Sequence, residues 1–158
     1  MLFANLLLAT LMVAITVVVH FLGLTGLISF AKRRIAVRPL RATVVRQGAM
    51  ILAVVFGLFA LHTIEIWLYA ALYMVLGEFP TLEEALYFST STFTTVGFGE
   101  ITLDENWRVL SAIESANGFL LIGWSTAYLV TMTGIMRDID REIGEMRRDA
   151  QRRDARED

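Results

Sequence analysis

The chain has 158 residues, 56% of them hydrophobic, with 14 basic and 16 acidic side chains for a formal net charge of -2. Its mean hydropathy of +0.58 is too apolar for an ordinary water-soluble domain of this length. The lack of cysteine excludes disulfides, thiolate metal ligands and cysteine nucleophiles, and His20 and His62 alone are a poor supply for a histidine-built metal cluster.

The charges are segregated, with no acidic residue before Glu65. Residues 2–30 contain no Lys, Arg, Asp or Glu, a run longer than the roughly 20 residues that cross a bilayer. It reads as a first membrane helix. A cleaved signal peptide fits poorly, because the positive charges follow the apolar run and the run is too long.

Residues 31–47 form a basic connection that carries Lys32, Arg33, Arg34, Arg38, Arg41 and Arg46 and no acidic residue. The positive-inside rule puts it in the cytoplasm and the N-terminus outside. Each such charge gains about 1 kcal/mol near an anionic leaflet, so anionic lipids are the expected contacts of Lys32, Arg33, Arg34, Arg38 and Arg41.

Residues 48–76 read as a second span, interrupted by His62 and Glu65, with Trp67, Tyr69 and Tyr73 forming an outer aromatic belt. Residues 77–106 are too polar to cross. Within them, 82–93 has an amphipathic pattern, and Pro80, Thr81 and Glu84 make the start of a short capped helix. Residues 107–136 cross back, and from Arg137 onward 7 Arg and 8 acidic residues make a cytoplasmic tail. There Ile139, Ile143, Met146 and Ala150 follow four-three-four spacing, compatible with a short helical bundle or with a solvated tail. Acidic residues cancel the Arg, which argues against nucleic acid as a partner.

The re-entrant segment ends in Thr94-Thr95-Val96-Gly97-Phe98-Gly99-Glu100. A dehydrated cation needs oxygens in place of its water shell, and Gly97 and Gly99 allow the left-handed angles that turn successive carbonyls one way. The segment resembles the signature of the potassium channel pore-loop family, in the prokaryotic form with one extra N-terminal membrane helix. The resemblance covers residues 48–136 as outer helix, pore helix, filter and inner helix.

It implies an all-α membrane protein with three transmembrane helices, a re-entrant pore helix and a selectivity-filter loop. Each chain supplies one loop, so the working unit is a homotetramer in a cell membrane with its C-terminus cytoplasmic. Thr95, Val96, Gly97, Phe98 and Gly99 would be the filter, with K+ held at Thr95, Val96, Gly97 and Phe98, and Thr94, Glu100, Phe88 and Ser91 would support it. The permeant ion is the only bound species implied, and no cofactor. Two positions depart from the family pattern: Phe98, where Tyr is commoner, and Glu100, where Asp is commoner. Phe98 lacks the hydroxyl that would anchor the filter to its supporting helix.

Beyond the motif, His62 and Glu65 lie three apart on one helix, and Glu114 and Asn117 repeat that spacing. Ionisable groups inside a membrane usually face protein or water. The pairs read either as one polar network behind the filter that responds to pH through His62, or as satisfied interhelix hydrogen bonds; His20 reads as a further contact of that kind. Gly118 is a candidate gating hinge, and Gly123 suits close packing. Glu78, Glu83, Glu84, Glu100, Asp104 and Glu105, opposed by Arg108, either concentrate cations at the outer mouth or solvate a loop.

The leading function is passive potassium conduction. A weakly selective cation channel and a non-conducting scaffold or accessory subunit are the alternatives. No Ser-His-Asp set or nucleotide loop points to an enzyme. No span carries the repeated Arg of a voltage sensor, which leaves voltage at the filter, pH, lipid, tension or a separate regulatory subunit as gating stimuli.

Overall fold

The computed structural model describes the backbone of residues 2–36 and 44–157, and the side chains of 2–31, 33, 48–134 and a few in the tail. Four helices follow one another: α1 (Leu2–Ala36), α2 (Val44–Leu76), α3 (Leu82–Phe93) and α4 (Arg108–Glu157).

Residues 2–31 and 48–76, within α1 and α2, are long and apolar enough to cross a membrane. Much of their bulky apolar surface faces outward, including Phe3, Leu7, Phe21 and Leu22 on α1 and Leu52, Phe56, Phe59 and Val75 on α2. Apolar area of this extent needs lipid or another chain to cover it.

α1 runs on to Ala36, so residues 32–34 of the expected basic connection extend the first helix. Arg33 is exposed. The side chains of Lys32, Arg34 and Arg46, and residues Arg38 and Arg41 entirely, lie outside the described residues, as do the side chains of Ile139, Ile143 and Ala150. α4 is one unbroken helix of 50 residues, about 75 Å at 1.5 Å per residue and well over twice a hydrocarbon core.

α1 packs on α2 and α4, and α3 is wedged between α2 and α4. Polar contacts fix the register. Asn5 Nδ2 donates to the Asn106 carbonyl just ahead of α4, and further along Asn117 Nδ2 donates to Thr16 Oγ1 at 2.7 Å. α1 and α4 therefore run parallel, and α2 runs antiparallel to α1.

On the α1–α2 face each helix offers a glycine to a leucine of the other. A Cβ on Gly23 would lie 2.5 Å from Leu61 Cδ1, and one on Gly57 2.4 Å from Leu27 Cδ2. These close approaches let the two helices pack tightly, as small residues do in membrane helix pairs. The same end of the molecule has an apolar cluster of Leu24, Val54, Leu58 and Leu61.

The larger core lies around α3, where Tyr69, Tyr73, Phe79, Phe88, Phe93, Leu110 and Leu121 meet. The expected aromatic belt is corrected here. Trp67 is 55% exposed, but Tyr69 and Tyr73 are fully buried. Their face of α2 is turned to α3 and α4, and their hydroxyls are used inside: Tyr73 donates to Glu114, and Tyr69 accepts from Asn117 at 3.2 Å.

Candidate functional site

α3 begins as its sequence predicts. Thr81 is the N-cap, and its hydroxyl accepts the Glu84 N–H at 3.2 Å, satisfying one of the free donors of the first turn. The helix stops at Phe93, and the chain folds back onto its last turn. The Ser91 carbonyl accepts from both Val96 N at 3.0 Å and Gly97 N at 3.1 Å, and Thr95 N donates to the Thr92 carbonyl at 3.0 Å. Ser91 Oγ accepts from Phe98 N at 3.2 Å. Ser91, buried on α3, thus organises three consecutive loop amides.

The loop backbone is left-handed at every second residue, with φ of 62° at Thr95, 58° at Gly97 and 79° at Gly99. Glycine takes this region freely, whereas a β-branched residue does not, and holding one there costs about 1–3 kcal/mol. The sequence pointed to Gly97 and Gly99 but not to Thr95, because nothing in a threonine marks a left-handed site. A Cβ on Gly97 would meet no atom within 4 Å, so backbone angle and not space calls for glycine there.

The loop side chains point away from the chain's core: Val96 is 55% and Phe98 63% exposed. The Phe98 ring stacks on Tyr87 of α3, with centroids 6.1 Å apart and planes 16° apart. Tyr87 OH donates to Glu100 Oε2 at 3.3 Å. The tether that Phe98 cannot make is supplied by its stacking neighbour. Thr94 Oγ1 donates to the Thr90 carbonyl at 2.7 Å. Phe88 faces the other way and packs edge-on to Tyr73 at 5.4 Å and against Phe79 at 5.2 Å.

Behind α3 the two expected polar pairs sit in separate clusters. In the first, Ser89 Oγ of α3 lies 2.6 Å from Glu114 Oε1 and 3.0 Å from the Ile66 carbonyl, and Tyr73 OH takes the second Glu114 oxygen. Asn117 joins Thr16 to Tyr69. Gly118 lies against the end of α3: a Cβ there would come within 2.1 Å of the Phe93 carbonyl oxygen. That approach by itself accounts for glycine at 118, and α4 stays helical through it.

The second cluster contains His20 of α1, His62 and Glu65 of α2, and Ser125 of α4. Glu65 is fully buried, and its two oxygens lie 2.9 Å from His20 Nδ1 and 2.9 Å from His62 Nδ1. By count the histidines looked too few for a cluster. The fold nevertheless brings His20, His62 and Glu65 together with one ligand atom of each within 4.8 Å of the others. The sequence marked His62 and Glu65 by their spacing, but it gave no signal for which face of α1 meets α2, so the partner of His20 was not legible.

At the opposite end, Glu78 Oε2 accepts the Asp104 N–H at 2.9 Å and ties the start of the α2–α3 turn to the segment before α4. Glu105 and Arg108 form an exposed pair at 3.9 Å.

A short capped helix that ends in a glycine loop is seated between the apolar helix α2 and the long helix α4, an arrangement that fits an ion channel residing in a membrane. The family model described as ion channel matches residues 49–134, more than half of the chain, and the chain belongs to that family. The match spans the two-helix pore unit of the potassium channel pore-loop proteins. No curated protein and no solved structure matches the chain.

Proposed function

We propose that the chain is one subunit of a homotetrameric potassium-selective channel, conducting passively through a backbone-carbonyl filter at Thr95, Val96, Gly97, Phe98 and Gly99. The observation that carries this reading is the left-handed backbone at Thr95, Gly97 and Gly99, held by Ser91 directly after a capped helix. In an extended strand successive residues face opposite ways. A backbone whose φ changes sign at each step lets successive carbonyls face one side, where they replace the hydration shell of a cation.

One chain provides one such row, and four around an axis close the ring. The outward-facing Val96 and Phe98, and the exposed Phe119, Leu120 and Trp124 of α4, are apolar surface suited to contacts between subunits. α3 would direct its C-terminal end toward the ion path, where the aligned peptide dipoles favour a cation.

In this arrangement α1, α2 and the first 29 residues or so of α4 cross the membrane, and α3 with its loop is re-entrant. The parallel course of α1 and α4, fixed by Asn5 and Asn106, is consistent with an N-terminus on the outer side, beside the filter mouth, and a cytoplasmic end of α4. Lys32, Arg33, Arg34, Arg38 and Arg41 would then meet the anionic inner leaflet of a cell membrane. α1 serves as a brace: its Asn5, Thr16 and His20 bond to groups on or beside the pore unit.

The test is rubidium uptake into liposomes that contain the purified protein, with tetramers counted by mass. Uptake that external potassium blocks and external sodium does not supports the proposal. Equal block by sodium would favour a weakly selective cation channel, and no uptake would favour the scaffold.

A further inference from the structure

We infer that His20, His62 and Glu65 form a binding site for a divalent transition-metal ion of the zinc type, joining α1 to α2 behind the end of α3. It is built from two imidazoles and a carboxylate, a donor set that suits zinc. His20 and Glu65 are fully buried, and the His62 side chain is 17% exposed, so the three donors meet largely inside the protein.

Hydrogen-bond accounting favours an ion. With both rings neutral and both Nδ1–H groups donated to Glu65, both Nε2 atoms turn their lone pairs on one residue, Ser125, whose Oγ lies 3.0 Å from His62 and 3.5 Å from His20. A serine hydroxyl has a single proton to give but can accept twice, so one imidazole nitrogen goes without a donor.

A metal bound by the two Nδ1 atoms and Glu65 reverses this. Each ring then carries its proton on Nε2, and Ser125 Oγ accepts from both. Histidines that ligate metals characteristically donate their other N–H to such an acceptor, which fixes the ring and raises its basicity.

The distances call for a modest rearrangement, in which the two imidazole–carboxylate contacts open from 2.9 Å and the wider spacing in the trio closes. Ligand atoms of a tetrahedral zinc site lie about 3.3 Å apart for bonds near 2.0 Å, and here they fall within 4.8 Å. The rings already stack, with centroids 5.5 Å apart and planes at 29°, and Trp124 closes the far side of His20 at 5.3 Å.

The His62 ring also lies 5.8 Å from that of Phe93, the last residue of α3. A bound ion therefore stiffens the support of the loop from behind. The inference depends on the fold and not on which ion the channel conducts.

The test uses the full-length protein in detergent, stripped with a chelator and then titrated with Zn2+ by equilibrium dialysis, with Co2+ as a spectroscopic stand-in. One ion per chain is expected, with X-ray absorption showing two imidazole ligands and Co2+ giving a tetrahedral ligand-field band. His20→Gln and His62→Gln each weaken binding by about 100-fold or more, and Ser125→Ala by about tenfold. Absence of stoichiometric binding to the wild-type protein overturns the inference, and so does binding that both histidine variants leave unchanged, since the ion would then sit on the outer carboxylates. The wild-type ligand count decides the matter even if a variant does not fold.

Discussion

The hydroxyl of Ser89 on α3 lies 2.6 Å from the fully buried carboxylate of Glu114 on α4, and Tyr73 of α2 donates to the other oxygen of the same carboxylate. One side chain thus fastens the short helix to both of the long helices that flank it. Position and orientation of the loop follow from that joint, because Ser91, which organises the loop amides, is only two residues beyond Ser89 on α3.

Glu114→Ala should therefore damage the fold more than its single carboxylate suggests. It leaves the buried Tyr73 hydroxyl without its acceptor and Ser89 with only the Ile66 carbonyl, a loss of about 1–3 kcal/mol. Thermal unfolding of the purified protein should show a clear fall in midpoint, with a smaller one for Glu114→Gln, which keeps one acceptor oxygen. An unchanged midpoint for Glu114→Ala would contradict this role.

The glycines of α4 separate sharply. Gly118→Ala puts a methyl group 2.1 Å from the Phe93 carbonyl oxygen, a backbone atom that cannot move aside without shifting the end of α3. Little correctly folded protein should be recovered on size-exclusion chromatography. A Cβ on Gly123 meets nothing within 4 Å inside the chain, and Gly123→Ala should fold normally, with the roughly 1 kcal/mol gain of replacing a helical glycine. Equal behaviour of the two variants would contradict the packing assigned to Gly118.

Much of this organisation was legible in the sequence, for identifiable reasons. Thr81 and Glu84 marked the start of α3 because capping is local chemistry between near neighbours. The charge-free run of 2–30 and the glycines at 97 and 99 are likewise local signals. Contacts between helices were not legible. The burial of Tyr69 and Tyr73, the meeting of His20 with Glu65 and the split of the polar residues into two clusters depend on helix rotation, and a nearly uniformly apolar helix does not reveal which face turns inward. Thr95 escaped for a different reason, since its left-handed angle is imposed by Ser91 and Thr92 and not by its own side chain.

Tyr87 tests the tether between loop and helix. Tyr87→Phe keeps the ring stack on Phe98 and removes the exposed bond to Glu100, which is worth about 0.5 kcal/mol. In the proposed channel this should roughly double the rate at which current declines during sustained opening. The measurement is macroscopic current from reconstituted protein. A decline no faster than wild type would show that the stack alone holds the loop.

The reversal potential of the purified protein in a planar bilayer, with potassium on one side and sodium on the other, decides whether the loop selects potassium. A selective filter gives reversal near the potassium equilibrium potential, and loss of that current in Gly97→Ala, where a side chain is forced onto a backbone angle of 58°. Reversal near zero, or a selective current that survives Gly97→Ala, would contradict it.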